Sequence, residues 1–346
     1  MVSMNRQIEL GDQPWRVLVM GCGSIGKRHI SNLLSLGIRP LVVYDIHKER
    51  TQEIETLYSL PTTNTLDSTW ELQPNVALIC APSSLHIPLA IEAANHGCHL
   101  FIEKPLGDSL AGIDELLQLV AKNHLFTLVG CNMRFHPALL LIQSLLESRT
   151  IGRVISMQVE VGKYLPDWHP QEDYRKNYSA QKKMGGGIIL DAIHELDYIR
   201  WLLGEVKSIV CFADHLSHLE IDTEDTAAIL LRFANQEIGE VHLDYVQRSS
   251  NRSCRVIGDE GTIVWTSASG KVSWYTAASQ QWQEQVLAPD WRTNQMYLDE
   301  LIHFFHCLKE QKKTMQDVEE GKRVLEIALA AKQSAIQDRV IRFSEV

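Results

Sequence analysis

The 346-residue sequence is short of several things, and each shortage removes a class of function. It has no positive excess: 33 Lys and Arg against 43 Asp and Glu leave a formal net charge of -10. That balance argues against nucleic acid or an anionic membrane as partner, so any phosphate must be gripped locally by dipoles and a few cations. No apolar run approaches membrane-spanning length, and residues 1–14 are polar with no apolar h-region, so neither a span nor a secretory signal is expected. There is no C-x-x-C and no zinc-like spacing. The seven cysteines, Cys22, Cys80, Cys98, Cys131, Cys211, Cys254 and Cys307, are scattered and odd in number. Buried reduced thiols in the cytoplasm, and no metal, are the expectation. Repeats and low-complexity segments are also missing. What remains, 45% hydrophobic and 22% charged residues, describes a globular chain with enough length for two cores.

What the sequence does have begins at Trp15. A short apolar run ends in Gly21-Cys22-Gly23-Ser24-Ile25-Gly26, and a helical pattern starts at once. Gly21 permits a tight turn, Gly23 lets the backbone approach a pyrophosphate, and Gly26 lets the helix pack close to its strand. The amides of Ser24 and Ile25 then open a helix whose positive end suits phosphate. An acid belongs about 20 residues further on, at the end of the second strand, to receive the ribose hydroxyls. Asp45, closing Leu41–Asp45, fits. A carboxylate there repels a 2′-phosphate, so NAD rather than NADP is the expected cofactor.

Strand-like runs at 16–20, 41–44, 76–80, 99–102 and 126–131 alternate with helical patterns at 25–36, 48–58, 85–96 and 110–124. Apolar strands separated by amphipathic helices predict a doubly wound parallel sheet in an α/β fold. After residue 133 the pattern changes. A helix over 137–146 and a run over 153–161 precede a long polar-aromatic loop and a helix over 188–203. Runs at 208–213, 226–233, 238–247, 253–257, 262–266 and 272–275 follow, joined by short turns, which predicts a mostly antiparallel sheet. Helices over 294–309 and 318–337 close the chain. The expected organisation is a tail at 1–14, a nucleotide-binding domain at 15–133, and a substrate-binding and oligomerising domain at 134–346. The alternation in Ile238–Val246 leaves an apolar face to bury, so a homodimer or homotetramer is expected.

Three segments carry chemistry. Glu103-Lys104-Pro105 follows a strand at the cofactor mouth, where a lysine can hold a developing alkoxide or donate a proton. Ala81-Pro82-Ser83-Ser84 follows another strand at the same mouth and can line a nicotinamide ribose pocket. Gly185-Gly186-Gly187 leads into a helix on which Asp191, His194 and Asp197 are spaced three apart. Either acid can then share a helix face with the imidazole and tune it. Upstream, the loop with Tyr164, Trp168, His169, Tyr174 and Arg175 offers aromatic faces and polar groups suited to a hydroxylated ligand.

In this order, GCGSIGKRH at Gly21–His29, APSSLH at Ala81–His86, EKPLG at Glu103–Gly107, NMRFHP at Asn132–Pro137, GGGIILDAIHELDYIRWLLG at Gly185–Gly204 and EEGKRVLEIALAA at Glu319–Ala331 resemble the glucose–fructose oxidoreductase, inositol dehydrogenase and MocA (Gfo/Idh/MocA) family. The resemblance runs from Trp15 to the end of the chain. It implies a Rossmann domain, a second α/β domain with an open, largely antiparallel sheet, and NAD(P)-dependent oxidation of a sugar or cyclitol hydroxyl, or the reverse. Lys104 matches the lysine that contacts the substrate hydroxyl, His194 the acid/base histidine, and Asp191 the aspartate before it. Many members place that aspartate four residues ahead of the histidine; here the spacing is three. The same resemblance gives the cofactor Gly21, Gly23, Ser24, Ile25, Gly26, Asp45, Ala81, Pro82, Ser83, His86, Glu103, Lys104 and Arg134. The candidate substrate-binding residues are Lys104, Asp191 and His194, from the resemblance, together with the five loop residues read from the loop itself. Some members have regulatory roles with no established turnover, so a nicotinamide-binding regulatory or assembly protein is the alternative. Neither nucleic acid nor membrane is an expected partner.

Overall fold

The computed structural model describes residues 15–168 and 170–343. These form two units: residues through Gly130 with Thr293–Gly321, and Cys131–Arg292 with the chain from Lys322 onward.

The first unit opens with β1 (Val17–Met20), α1 (Ser24–Ser35), β2 (Val42–Tyr44), α2 (Lys48–Tyr58), β3 (Thr62–Thr63) and α3 (Asp67–Trp70). It continues with β4 (Val76–Ile79), α4 (His86–Asn95), β5 (His99–Glu103), α5 (Ile113–Lys122) and β6 (Thr127–Gly130). The six strands are parallel, in the order β3-β2-β1-β4-β5-β6. Strands β1 and β4 are buried at every residue, as expected of a sheet covered on both faces. The order reverses at β1, so the binding crevice of this topology lies at the C-terminal ends of β1 and β4. The two-residue β3 and the one-turn α3 escaped the sequence reading because neither is long enough to show a period.

The second unit contains α6 (Pro137–Glu147), β7 (Val154–Gly162), a run of single 3-10 turns, α7 (Ile188–Asp191) and α8 (Ile193–Leu203). Strands β8 (Val206–Asp214), β9 (Thr226–Phe233), β10 (Ile238–Asp244), β11 (Asn251–Gly258), β12 (Gly261–Thr266), β13 (Lys271–Thr276) and β14 (Gln281–Val286) follow. With β15 (Ile341–Arg342) they make a nine-stranded sheet, β14-β13-β12-β11-β7-β10-β9-β8-β15. Only β7 and β10 pair in parallel; the other seven pairings are antiparallel. On β10, Gly239, Val241 and Leu243 point inward and are covered by α7 and α8. The apolar set that the alternation revealed is therefore satisfied inside the unit. The open face is different: Val210, Leu230, Glu240, Gln158, Arg255 and Val264 lie opposite one another across six strands. Phe212 and Leu230 on that face are 71% and 50% exposed.

His136 shows how tightly this unit uses its polar groups. Its Nδ1 caps α6 by accepting the Ala138 amide at 3.1 Å, and its ring lies 4.8 Å from the rings of Trp265 and Trp291. An acceptor nitrogen must be unprotonated. Burial, helped by the Arg252 charge, lowers its pKa from 6.5 to about 4. Between those values the unfolded chain binds more protons than the folded one. Stability therefore falls as pH drops from 6.5 towards 4, by about 3 kcal/mol for this group. His136→Asn keeps a capping acceptor and removes the ionisation. Its melting temperature should fall less than that of the wild type over this range; parallel curves would refute the assignment.

After β14 the chain forms α9 (Asn294–Glu310) and α10 (Val318–Gln337). Leu301, Phe304, Phe305 and Leu308 of α9 join Val17, Val19, Ile30, Leu33 and Phe101 in the first unit's core. The segment beyond α9 covers the edge strand β6. The Val129 amide donates to the Gln316 carbonyl at 2.7 Å, and the Thr314 hydroxyl donates to the Thr127 carbonyl at 2.6 Å. The sequence pattern assigns everything after 133 to the second domain, whereas α9 packs in the first unit's core. Periodicity shows that a helix has an apolar face, but not which core receives it.

Candidate active site

The glycine turn has the shape its sequence demands. Gly21 has φ +97, and a Cβ there would lie 2.7 Å from the Cys80 carbonyl oxygen. A Cβ on Gly26 would lie 2.1 Å from the Gly21 carbonyl oxygen, so α1 can start this close to β1 only with glycine. A Cβ on Gly23 meets nothing within 4 Å, so that backbone faces open space. No side chain caps α1, so the amides at Ser24 and Ile25 open the helix without a side-chain acceptor. This is a cradle that fits a pyrophosphate.

Asp45 is 4% exposed. Its carboxylate accepts the Cys22 amide at 3.0 Å and the His47 amide at 2.9 Å, with the Arg50 guanidinium at 3.6 Å. Oδ2 also takes the Cys22 thiol at 3.5 Å, whereas Oδ1 keeps a second lone pair that a ribose hydroxyl can use. Burial, followed by the Asp45 charge and hydrogen bond, raises the Cys22 thiol to about 12, so this cysteine is inert. All seven cysteines are buried and free.

At the neighbouring strand ends, Glu103 accepts from His29 at 2.6 Å and from the Lys104 amide at 3.1 Å. Burial alone would raise the Glu103 pKa. The His29 hydrogen bond and charge, the Lys104 charge and the Lys104 amide outweigh it, so the carboxyl is held below its ordinary value. The Glu103 carboxylate is thus committed to His29 and to the backbone of Lys104. Lys104 itself is half-buried and is joined to Pro105 by a cis peptide. Ala81 and Pro82 lead into a 3-10 turn, Ser83–Leu85, with Ser83 buried. His86 is 1% exposed and lies against two backbone carbonyls, so its bearing on a cofactor runs through the loops it touches.

In the second unit the expected single helix over 188–203 is broken. Ala192 interrupts it with φ -92 and ψ 31, so Asp191 ends α7 and His194 is the second residue of α8. The two do not share one helix face. The Asp191 carboxylate instead gathers hydroxyls: Ser179 at 2.6 Å, Tyr245 at 3.0 Å, and Tyr178. Burial, then the Asp191 and Tyr178 charges, push the Tyr245 phenol well above its ordinary pKa, so it remains a donor. Those three partners were missed because they lie 12 to 54 residues from Asp191 with no periodic relation to it.

Asp197, the other candidate partner of His194, takes the Arg134 guanidinium on both oxygens, at 2.7 to 3.2 Å, with both side chains buried. Glu195 pairs with Arg252 at 2.7 Å, and Arg200 with Glu205 at 2.5 Å. Three ion pairs therefore fix the rotation of α8, and with it the half-buried His194. Breaking the Arg134–Asp197 pair, buried on both sides, leaves an uncompensated charge at roughly 3–5 kcal/mol. Of the loop residues, Trp168 packs edge-on against Tyr245 at 5.4 Å and so reaches the Asp191 cluster. Tyr164 lies under the Arg248 guanidinium at 3.5 Å. The Tyr174 hydroxyl accepts the Glu220 amide at 3.2 Å, and Arg175 pairs with Asp173 and Glu220 on the surface, away from Asp191. His169 lies outside the described residues.

Comparison with known proteins decides the ancestry. Residues 15–131 match the model described as the oxidoreductase family, NAD-binding Rossmann fold, and residues 139–264 match the GFO/IDH/MocA C-terminal domain. The chain belongs to the Gfo/Idh/MocA oxidoreductase family. It is similar to myo-inositol 2-dehydrogenase of Thermotoga maritima, with 28% identity, 96% of this chain and 99% of the relative covered. It is also similar to scyllo-inositol 2-dehydrogenase (NAD(+)) of Bacillus subtilis, with 26% identity, 92% of this chain and 93% of the relative covered. Levoglucosan dehydrogenase in complex with NADH shares the fold, with a TM-score of 0.86, 21% identity, 96% of this chain and 99% of that one. As a Gfo/Idh/MocA protein, the chain carries an NAD(H)-binding Rossmann domain. Among the described residues no helix is long and apolar enough to cross a membrane, and no cluster of His, Cys, Asp and Glu is placed to hold a metal ion.

Proposed function

We propose that the protein oxidises a hydroxyl of a sugar, cyclitol or sugar-derived substrate, or runs the reverse reduction, with NAD. The observation that carries this reading is the Gly21–Gly26 cradle and Asp45 on the same sheet edge as the Glu103-fastened Lys104. Bound NAD supplies the acceptor for the hydride that leaves the carbinol carbon. Lys104 holds the substrate oxygen with its ammonium and stabilises the charge that develops there. His194 takes the hydroxyl proton in oxidation and returns it in reduction. Asp191 accepts the hydroxyls of Tyr178, Ser179 and Tyr245 and so fixes the chain that leads into α7. Trp168 adds an aromatic face. The relatives named for inositols and levoglucosan support a cyclic polyol.

The test is reduction of added NAD, followed by its absorbance, with inositols, levoglucosan, sugar acids and nucleotide sugars. Turnover with one of these is expected. Bound cofactor that never changes redox state across the panel would sink the reading and favour a regulatory protein. Calorimetry in the same preparation should show NAD binding more tightly than NADP, because Asp45 faces the 2′ position. Equal affinities would overturn the preference for NAD.

The protein should also assemble with copies of itself. The open face of the nine-stranded sheet exposes Phe212 and Leu230 beside Glu240, Gln158 and Arg255. A mixed apolar and polar face of this kind suits a second copy of the same sheet. Light scattering at micromolar concentration should report a dimer or tetramer, and a monomer would rule this out.

A further inference from the structure

One imidazole spans two strand ends. Strands β4 and β5 are neighbours with Ile79 opposite Ile102, so the chain at Ala81 and at Lys104–Pro105 leaves the sheet side by side. His86 is the first residue of α4 and is 1% exposed. Its Nδ1 lies 2.7 Å from the Pro105 carbonyl oxygen and its Nε2 lies 2.8 Å from the Ala81 carbonyl oxygen. Carbonyl oxygens only accept, so each contact calls for a ring N–H. A histidine that merely filled space would not aim both nitrogens at backbone acceptors on two different loops.

We propose that His86 is a positioning residue that ties the Ala81–Ser84 loop to the Lys104–Pro105 turn. Through the Pro105 peptide it sets where Lys104 presents its ammonium, and through the Ala81 peptide it sets the loop that lines the nicotinamide ribose. The assignment rests on the roles proposed above for those two loops. Burial moves the ring below its ordinary pKa; the Pro105 and Ala81 carbonyls and the Glu103 charge oppose this, and the Lys104 charge reinforces it. A neutral ring has one N–H and holds one loop at a time, and a second proton secures both. The two holds are therefore chemically separable.

Side-chain amides separate them. The amide nitrogen of asparagine falls near the Nδ1 position and that of glutamine near the Nε2 position. In the full-length protein, His86→Asn should retain the Pro105 hold, His86→Gln the Ala81 hold, and His86→Ala neither. Two readouts need no substrate. One is the NAD dissociation constant by calorimetry. The other is the rate of Lys104 acetylation by acetic anhydride, followed by peptide mass spectrometry. His86→Asn should weaken NAD binding by about tenfold, the worth of one net hydrogen bond, with Lys104 reactivity unchanged. His86→Gln should show the converse, and His86→Ala should show both changes. Asn and Gln variants with the same pattern, or any of the three with a lowered melting temperature alone, would make His86 a packing residue and overturn the proposal. Failure of the underlying reading appears elsewhere: Lys104→Met would then keep its turnover, whatever the His86 variants do.

Discussion

His194→Asn should slow both directions of the reaction by roughly 100- to 10,000-fold if proton transfer limits the step. It should also abolish an ionisation in the pH–rate profile. In the oxidation direction the imidazole must start neutral to accept the hydroxyl proton. Oxidation by the wild type should therefore rise with pH through one ionisation, and reduction should fall through a corresponding one. The competing account makes His194 a packed residue near the start of α8. The substitution would then lower the melting temperature and leave the profile unchanged. The buried Arg134–Asp197 pair and the part-buried Arg252–Glu195 pair already hold α8, so the rotation of the helix should survive the change. Measuring the pH profile and melting temperature of one preparation separates the two accounts.

Lys104→Met should lower turnover by about 100- to 1000-fold, the usual cost of removing one electrostatic donor from the reacting oxygen. NAD affinity should change little, because the cradle at Gly21–Gly26 and the acceptor at Asp45 are untouched. The Glu103 carboxylate should also keep its place, since it is bound to His29 and to the Lys104 backbone amide, which methionine retains. Turnover close to the wild type on a substrate found in the panel would show that Lys104 does not act on the reacting oxygen. Loss of NAD binding together with turnover would place the ammonium on the cofactor instead.

The glycine turn of the first unit was legible from the sequence because its geometry is local. Gly21, Gly23 and Gly26 sit within six residues, and their spacing encodes a turn, an approach and a close packing that the backbone reproduces. Asp45 is one strand away, and its position follows from the βαβ repeat. The second unit was legible only in outline. The helix break at Ala192 carries no proline or glycine to announce it, so the expected face shared by Asp191 and His194 was drawn on a helix that stops between them. The partners of Asp191 come from a 3-10 turn and from the residue after β10, and those of α8 come from Arg134 and Arg252. Contacts between residues far apart in the chain leave no period to read. The short strands β3 and β15 and the exposed β14 were missed for a related reason: two residues, or six with no buried member, show no alternation.

The return of α9 to the first unit has a consequence for how the chain is made. Residues through Gly130 contain the whole parallel sheet, yet Leu301, Phe304, Phe305 and Leu308 of its core arrive some 170 residues later in synthesis. A growing chain on the ribosome therefore presents Val17, Ile30 and Phe101 with one wall of their core missing while the entire nine-stranded sheet region up to β14 is still being translated. Closing that core is a long-range event with a large loop-closure entropy. Helix α9 is thus made long after β1, yet it closes the core that β1 opens.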